Sequence, residues 1–256
     1  MDTQPASQAP AVDRAFDILE AVAAHPDGLT LSELSAQLDL PKNAVFRITR
    51  SLTARGYVQR HEETLRFQLT GRLLQLARPA GPSRTLTEVS VPLMRELRDA
   101  TRETVQLGCR SGEGGVILEK LESLQPLRIS VDVGLRFAFH SNAPGKLLLA
   151  WLPEHERETW LSGAALTAAT ARTITDADTL RRECERIRSR GYSTDFAEAD
   201  DGIHCVAAPI RDRQEGLAAV LWVSGPARRL PKERVTALAA EVMTMADRIS
   251  ARWQRS

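Results

Sequence analysis

Between Pro41 and Arg60 the chain carries five bases (Lys42, Arg47, Arg50, Arg55 and Arg60) and no acid. The forty residues before it hold seven acids and a single base, Arg14. So abrupt a switch gives one small unit a basic face, and basic faces attract phosphate. A solvated helix with uneven charge is the competing explanation, and charge alone does not separate the two. The apolar spacing adds to the first. On a helix running from Pro41 to Ala54, Val45, Ile48 and Leu52 share one face, while Asn43, Phe46, Arg47 and Arg50 share the other, with Lys42 at its start. Arg47 suits guanine and Asn43 suits adenine, each through two hydrogen bonds, and Phe46 can touch a thymine methyl. Lys42, Arg50 and Arg60 or Arg66 are better placed for phosphates, which position a protein without reading sequence. An exposed Phe amid bases favours double-stranded DNA over a merely solvated face.

The elements that must present this helix are readable on either side. Residues 1–11 are small and polar with two prolines and are expected to be a mobile tail. A helical pattern from Val12 to Ala24 ends at His25-Pro26-Asp27-Gly28. Thr30 with Glu33 has the spacing of a capping box and opens a helix to Leu38. Pro41 fits the start of the third helix, which stops at Gly56. Strand-like Tyr57–Arg60 and Leu65–Leu69 follow around a charged tip, then a short helix over Gly71–Ala77. Helix, helix-turn-helix and hairpin make a winged helix-turn-helix over 12–77, whose second paired helix enters the major groove. The breakers Arg78-Pro79-Ala80-Gly81-Pro82-Ser83 open a linker, 78–90, before a larger domain over 91–256.

The larger domain reads as helix (Thr87–Thr101), strand-like runs (Thr104–Cys109, Val116–Leu121, Leu127–Val133), helices (Asn142–Trp151, Glu154–Leu161, Asp176–Arg190), two strands (Cys205–Ile210, Leu217–Ser224) and a last helix (Pro231–Arg252). Strands flanked by helices predict an α+β domain around one sheet. With 43% hydrophobic and 26% charged residues in 256, and a net charge of +1, the chain has material for a real core and is not a disordered polymer. Three cysteines form no framework of pairs and point to a reducing compartment. No apolar run approaches the roughly 20 residues that span a bilayer, and the N-terminus lacks a signal-peptide pattern, so a cytoplasmic protein is expected.

Four stretches in order resemble the IclR type of transcriptional regulator: Gly28–Leu34 leading into Leu40–Arg47, His140–Ala150, Gly191–Glu198, and Gly202–Ile210 followed by Val223–Pro226. Together they run from about residue 11 to 250. The resemblance implies a winged helix-turn-helix joined to a GAF-like α/β domain that binds a small effector, in homodimers or homotetramers on palindromic operators. The expected function is a ligand-responsive regulator of a catabolic operon, taken as a repressor although activators use the same domain plan, with a small carboxylate such as a sugar acid as effector and no cofactor. Glu103–Gly108 and Lys120–Arg128 look like the branch controlling sugar-acid catabolism. Position by position, Asp195, Cys205 and Ser224 match polar effector contacts, and Ile129 and Phe137 match the apolar wall. Ala143 matches a helix N-terminus that receives a small carboxylate. Two departures stand out. Pro144 lacks an N–H, and Trp222 occupies a position where a small polar residue is common, so it would shrink the pocket or offer a flat surface to a ring.

Two other readings remain open. One is a constitutive DNA-binding protein whose pocket Pro144 and Trp222 have closed. The other is an enzyme with Cys205 or Ser141 as nucleophile and His140 or His204 as base. Adjacent residues on a strand point to opposite faces, so His204 and Cys205 cannot form one dyad. No nucleophile elbow, phosphate loop or dinucleotide fingerprint is present, and no Cys or His spacing suits a metal.

Overall fold

The computed structural model describes residues 9–76 and 85–255, leaving aside the side chains of residues 74 and 75. The chain divides into two compact units, one on either side of Ala80. The expected tail therefore lies mostly outside the described residues, as does the breaker cluster 78–83. No helix among the described residues is long and apolar enough to cross a membrane.

The first unit has the order α1 (Pro10–Ala23), β1 (Leu29–Thr30), α2 (Leu31–Gln37), α3 (Lys42–Ala54), β2 (Val58–Arg60), β3 (Arg66–Leu69) and α4 (Arg72–Leu76). Helix α1 starts two residues earlier than the sequence suggested. Pro10 has the fixed φ of a first helical turn, and the N–H groups of Val12 and Asp13 bond to Ala9 O. The capping box of α2 is present: Glu33 N–H donates to Thr30 Oγ1 at 3.3 Å, and Thr30 N–H donates to Glu33 Oε2 at 2.7 Å. Pro41 sits at the N-cap of α3. The three strands pair antiparallel in the order β1-β3-β2, so the two-residue β1, not anticipated from sequence, ties the start of α2 to the wing. Ile18, Val22, Leu34, Val45, Leu52, Val58 and Phe67 form the core of this unit.

The second unit has the order α5 (Leu86–Thr101), β4 (Thr104–Ser111), β5 (Gly114–Leu121), β6 (Arg136–Ala138), α6 (Ala143–Trp151), α7 (Glu154–Gly163), α8 (Ala177–Arg190), β7 (Ser193–Phe196), β8 (Ile203–Arg211), β9 (Leu217–Pro226) and α9 (Lys232–Trp253). A second capping box, Thr85 with Glu88, starts α5 inside the stretch expected to be linker. The six strands form one antiparallel sheet in the order β6-β5-β4-β9-β8-β7. Both its faces are covered, which is why β8 and β9 read as nearly continuous apolar runs. Val206, Ala208, Leu221 and Val223 point toward α5 and α9. Cys205, Ala207, Val220 and Trp222 point toward α6 and α8.

One expected strand is absent. Leu127–Val133 is irregular, and the edge of the sheet is Arg136–Ala138 instead. Its carbonyls are taken by side chains: Thr104 Oγ1 donates to Ile129 O, and Arg229 donates to Leu127 O, both at 2.8 Å. Strand β7 was not foreseen, because Ser193, Thr194 and Asp195 offer no apolar alternation. Replacing Thr30 with Ala is expected to cost about 1 kcal/mol of local stability, read as faster amide exchange across α2. Unchanged exchange there would mean that the cap contributes nothing.

Candidate functional site

Helix α3 buries Val45, Thr49 and Leu52 and exposes Lys42, Asn43, Phe46, Arg47 and Arg50. Ile48, expected inside, is half-buried, and Thr49 completes the inner face by donating to Val45 O at 2.9 Å. Phe46 is 52% exposed, so a large apolar ring stands in water among cations. Among the described residues, no acid lies within ion-pair distance of Lys42, Arg47 or Arg50. Arg47 also borders an open groove of about 570 Å³ between α1, α3 and α4, whose rim includes exposed Val12, Phe16 and Leu76.

Arg66 is placed differently from the phosphate contact expected of it. Its guanidinium bonds both oxygens of Glu33, at 3.0 and 3.1 Å, and donates to Gly28 O at 2.8 Å. It ties the wing to α2, and its charge is already matched. Arg60 lies over the Phe67 ring, 5.7 Å from the centroid.

In the second unit the pairing register brings the expected polar residues together. Asp195, Cys205, Ser224 and Thr104 are successive partners across β7, β8, β9 and β4. Cross-strand partners share a face, so the four form one row, on the side of the sheet that α6 covers. Cys205 Sγ is 3.2 Å from Ser224 Oγ, which donates to Gln106 Oε1 at 2.9 Å. Asp195 is fully buried. Its Oδ1 accepts Glu198 N–H at 2.6 Å, while Oδ2 has no partner among the described residues. Burial pushes the carboxyl up to about 7, against the backbone hydrogen bond that favours its charge. The same burial, with Asp195 beside it, raises the Cys205 thiol well above its ordinary value.

Sequence reasoning missed Lys146 of α6. It is buried and paired with Glu198 beside this row, so its charge is spent within the protein. A lysine in an apolar helix was the available signal. At the start of α6, Asn142 Oδ1 accepts Gly145 N–H at 2.8 Å and Pro144 has none to give, leaving the N–H of buried Ala143. Ile129 meets the row through its carbonyl on Thr104, and it is Val131 and Phe137 that pack against the apolar cluster under α6.

Trp222 does not cover the row. The far edge of its indole lies over Gly108, where a Cβ would stand 3.0 Å from the ring, and it meets Phe137 edge-on at 5.6 Å between centroids. The Phe137 ring in turn occupies the space over Gly115, where a Cβ would approach it to 2.2 Å. Two missing side chains thus make notches that hold both rings on the side of Gln106 away from Ser224. The expected shrinkage falls beside the row, not upon it.

The histidines have structural partners. His204 bonds Leu230 O at 2.7 Å on the opposite face from Cys205, and His140 bonds Thr167 O at 2.9 Å. Among the described residues, no group of His, Cys, Asp and Glu could hold a metal ion.

Two family models match the chain. The one described as the IclR helix-turn-helix domain covers residues 11–62, and the one described as bacterial transcriptional regulator IclR C-terminal covers 82–251. HTH-type transcriptional regulator KdgR of Escherichia coli (strain K12) is 33% identical over 251 residues, which is 98% of this chain and 95% of the relative. HTH-type transcriptional repressor AllR of the same strain is 29% identical over 233 residues, covering 90% of this chain and 86% of the relative. The crystal structure of Thermotoga maritima IclR aligns with a TM-score of 0.74 at 27% identity, covering 96% of this chain and all of that one. The exposed basic helix and the buried polar row therefore belong to a member of the IclR family of transcriptional regulators, a DNA-binding protein with an effector-binding C-terminal domain and not an enzyme.

Proposed function

We propose that this regulator is a cytoplasmic repressor of a catabolic operon, released from its operator by a small hydroxylated carboxylate. The observation that carries the effector reading is Asp195 Oδ2, a fully buried oxygen with no partner. Burying a polar atom unmatched costs about 1–3 kcal/mol. A ligand hydroxyl that donates to this oxygen removes the cost. The ligand's carboxylate then lies at the start of α6, toward the Ala143 N–H, with Cys205 and Ser224 beneath it. Pro144 and the committed Lys146 leave this end poor in positive charge, which favours hydroxyl-rich acids over compact, highly charged ones.

On the DNA side, Arg47 and Asn43 read bases, Phe46 touches a thymine methyl, and Lys42 and Arg50 hold phosphates. Arg66 is left out of this set because Glu33 holds it. A homodimer or homotetramer would place two such helices on half-sites one turn apart, roughly 10–10.5 base pairs. The exposed Val12, Phe16 and Leu76 along one groove fit a contact within that assembly. An effector acts by binding the two arrangements of the assembly with different affinity.

The test is a gel shift on the DNA upstream of the chain's own gene. Arg47→Ala is expected to cost about 1–3 kcal/mol and to relax preference at one guanine, whereas Lys42→Ala weakens all sequences alike and lowers the salt slope by about 1. Full binding by the Arg47 variant would remove α3 from the interface.

Asp195 also predicts a pH dependence. Its carboxyl titrates near 3.8 when unfolded and about 7 when folded. Between these values the folded state holds a proton that the unfolded state has released, so stability falls as pH rises through this window and levels off above it. Asp195→Asn lacks this loss. Urea denaturation should show the variant gaining on the wild type between pH 5 and pH 8; a constant difference would mean that Asp195 is ordinary.

A further inference from the structure

Four consecutive residues, where α5 passes into β4, are each gripped by a different group. Arg234 Nη2 donates to Thr101 O at 3.0 Å, and Ser123 Oγ donates to Arg102 O at 2.6 Å. Arg229 holds both carboxylate oxygens of Glu103, at 2.7 and 2.6 Å, and Glu103 is 2% exposed. Thr104 Oγ1 donates to Ile129 O at 2.8 Å and accepts Ser123 N–H at 3.1 Å. Ser123 and Ile129 belong to one loop, and Arg229 ties the same loop to Glu103 by donating to Leu127 O at 2.8 Å. The loop is braced within itself, because Glu122 gathers Lys120 at 3.0 Å, Arg128 at 2.7 Å and Ser130 at 2.6 Å.

Inside this grip the backbone is strained. Arg102 has a φ of 61°, in the left-handed region. At a helix end that place usually falls to Gly, and a residue with a Cβ is disfavoured there. Such a residue persists only where its surroundings over-determine it, and such places cluster at switches.

The grip touches the effector face through Thr104. Thr104 is the cross-strand partner of Ser224, and such side chains stand about 5 Å apart. Its one hydroxyl proton goes to Ile129 O, so Thr104 has none to give a ligand. A molecule over Cys205 and Ser224 therefore comes up against the tie that holds the loop. In the other direction, α5 is the first helix after the stretch that joins the two units in sequence.

We propose that residues 101–104 relay the effector signal into α5. Without effector the loop holds the junction, and Arg102 stays strained. An effector over Ser224 displaces Ile129 from Thr104, the loop lets go of residues 102–104, and relaxation at Arg102 changes the direction in which α5 leaves the sheet. Arg229 and Ser123 are positioning residues for the held arrangement, and Arg102 is the hinge. This rests on reading the face under α6 as the effector site. A ligand shifts such an equilibrium only by binding its two arrangements unequally, and the strain at Arg102 reduces the difference it must supply.

The variants should move the response in opposite directions. The full chain is bound to the DNA upstream of its own gene, and fluorescence anisotropy gives the concentration of gluconate, galactonate or galacturonate that releases half of it. Arg102→Gly removes strain from the held arrangement and is expected to raise that concentration fivefold or more. Arg229→Lys and Ser123→Ala weaken the grip and are expected to lower it threefold or more. With no acid present, both should also speed amide exchange over 123–131 and 101–104 together; melting curves show which variants fold, and either grip variant suffices. Half-release left unchanged, moved one way by all the folded variants, or exchange that quickens in the loop alone, overturns the relay and leaves the effector site standing. Failure of all three acids to release the wild type, or release that Asp195→Asn leaves untouched, overturns the effector reading itself, and this inference with it.

Discussion

The cost of burying a polar group without a partner governs the C-terminal unit. Its sheet has two covered faces. On one, Val206, Ala208, Leu221 and Val223 meet α5 and α9, and buried His204 is satisfied by the Leu230 carbonyl. On the other, the same strands turn Asp195, Cys205, Ser224 and Gln106 under α6, where water is excluded. A fold optimised only for stability would carry apolar residues at these positions, since a half-satisfied buried network is worse than an apolar core. The unmatched oxygen of Asp195 is the capacity that the proposed effector would meet. Everything around it fits that purpose. Lys146 is neutralised by Glu198, and two glycines hold the aromatic rings to one side.

The DNA-binding unit follows the opposite rule. Among the described residues, Lys42, Arg47 and Arg50 of α3 have no acid within ion-pair distance. Where an arginine is needed internally, as Arg66 is, an acid is supplied: Glu33 both caps α2 and holds Arg66 against the Gly28 carbonyl. One carboxylate thus joins the turn, the wing and the helix that precedes α3. Glu33 is held below its usual range chiefly by the Thr30 backbone N–H, as expected for a carboxylate at a helix N-terminus.

Much of this was legible in the residues. Helical spacing, capping pairs and breakers placed every helix of the described chain to within a few residues, because these signals are local. The DNA-facing side of α3 followed from one rule, that Val45 and Leu52 must turn inward. What sequence could not supply was pairing. Arg66 looked like a free cation because Glu33 is 33 residues away. Strand β7 was invisible because Ser193, Thr194 and Asp195 give no apolar alternation. Leu127–Val133 looked like a strand because it is apolar, but its carbonyls go to Thr104 and Arg229, partners that only the fold brings near. Trp222 appeared to block the pocket until the absence of a side chain at Gly108 showed where its ring goes.

The account stands or falls on the face beneath α6 being a ligand face. A crystal structure of the full chain, grown with whichever hydroxylated acid releases it from DNA, tests this most directly. It should place that acid against Asp195 Oδ2, over Cys205 and Ser224, with the Trp222 ring still over Gly108. An acid seated elsewhere in the domain, with the carboxyl of Asp195 as unmatched as before, would contradict it.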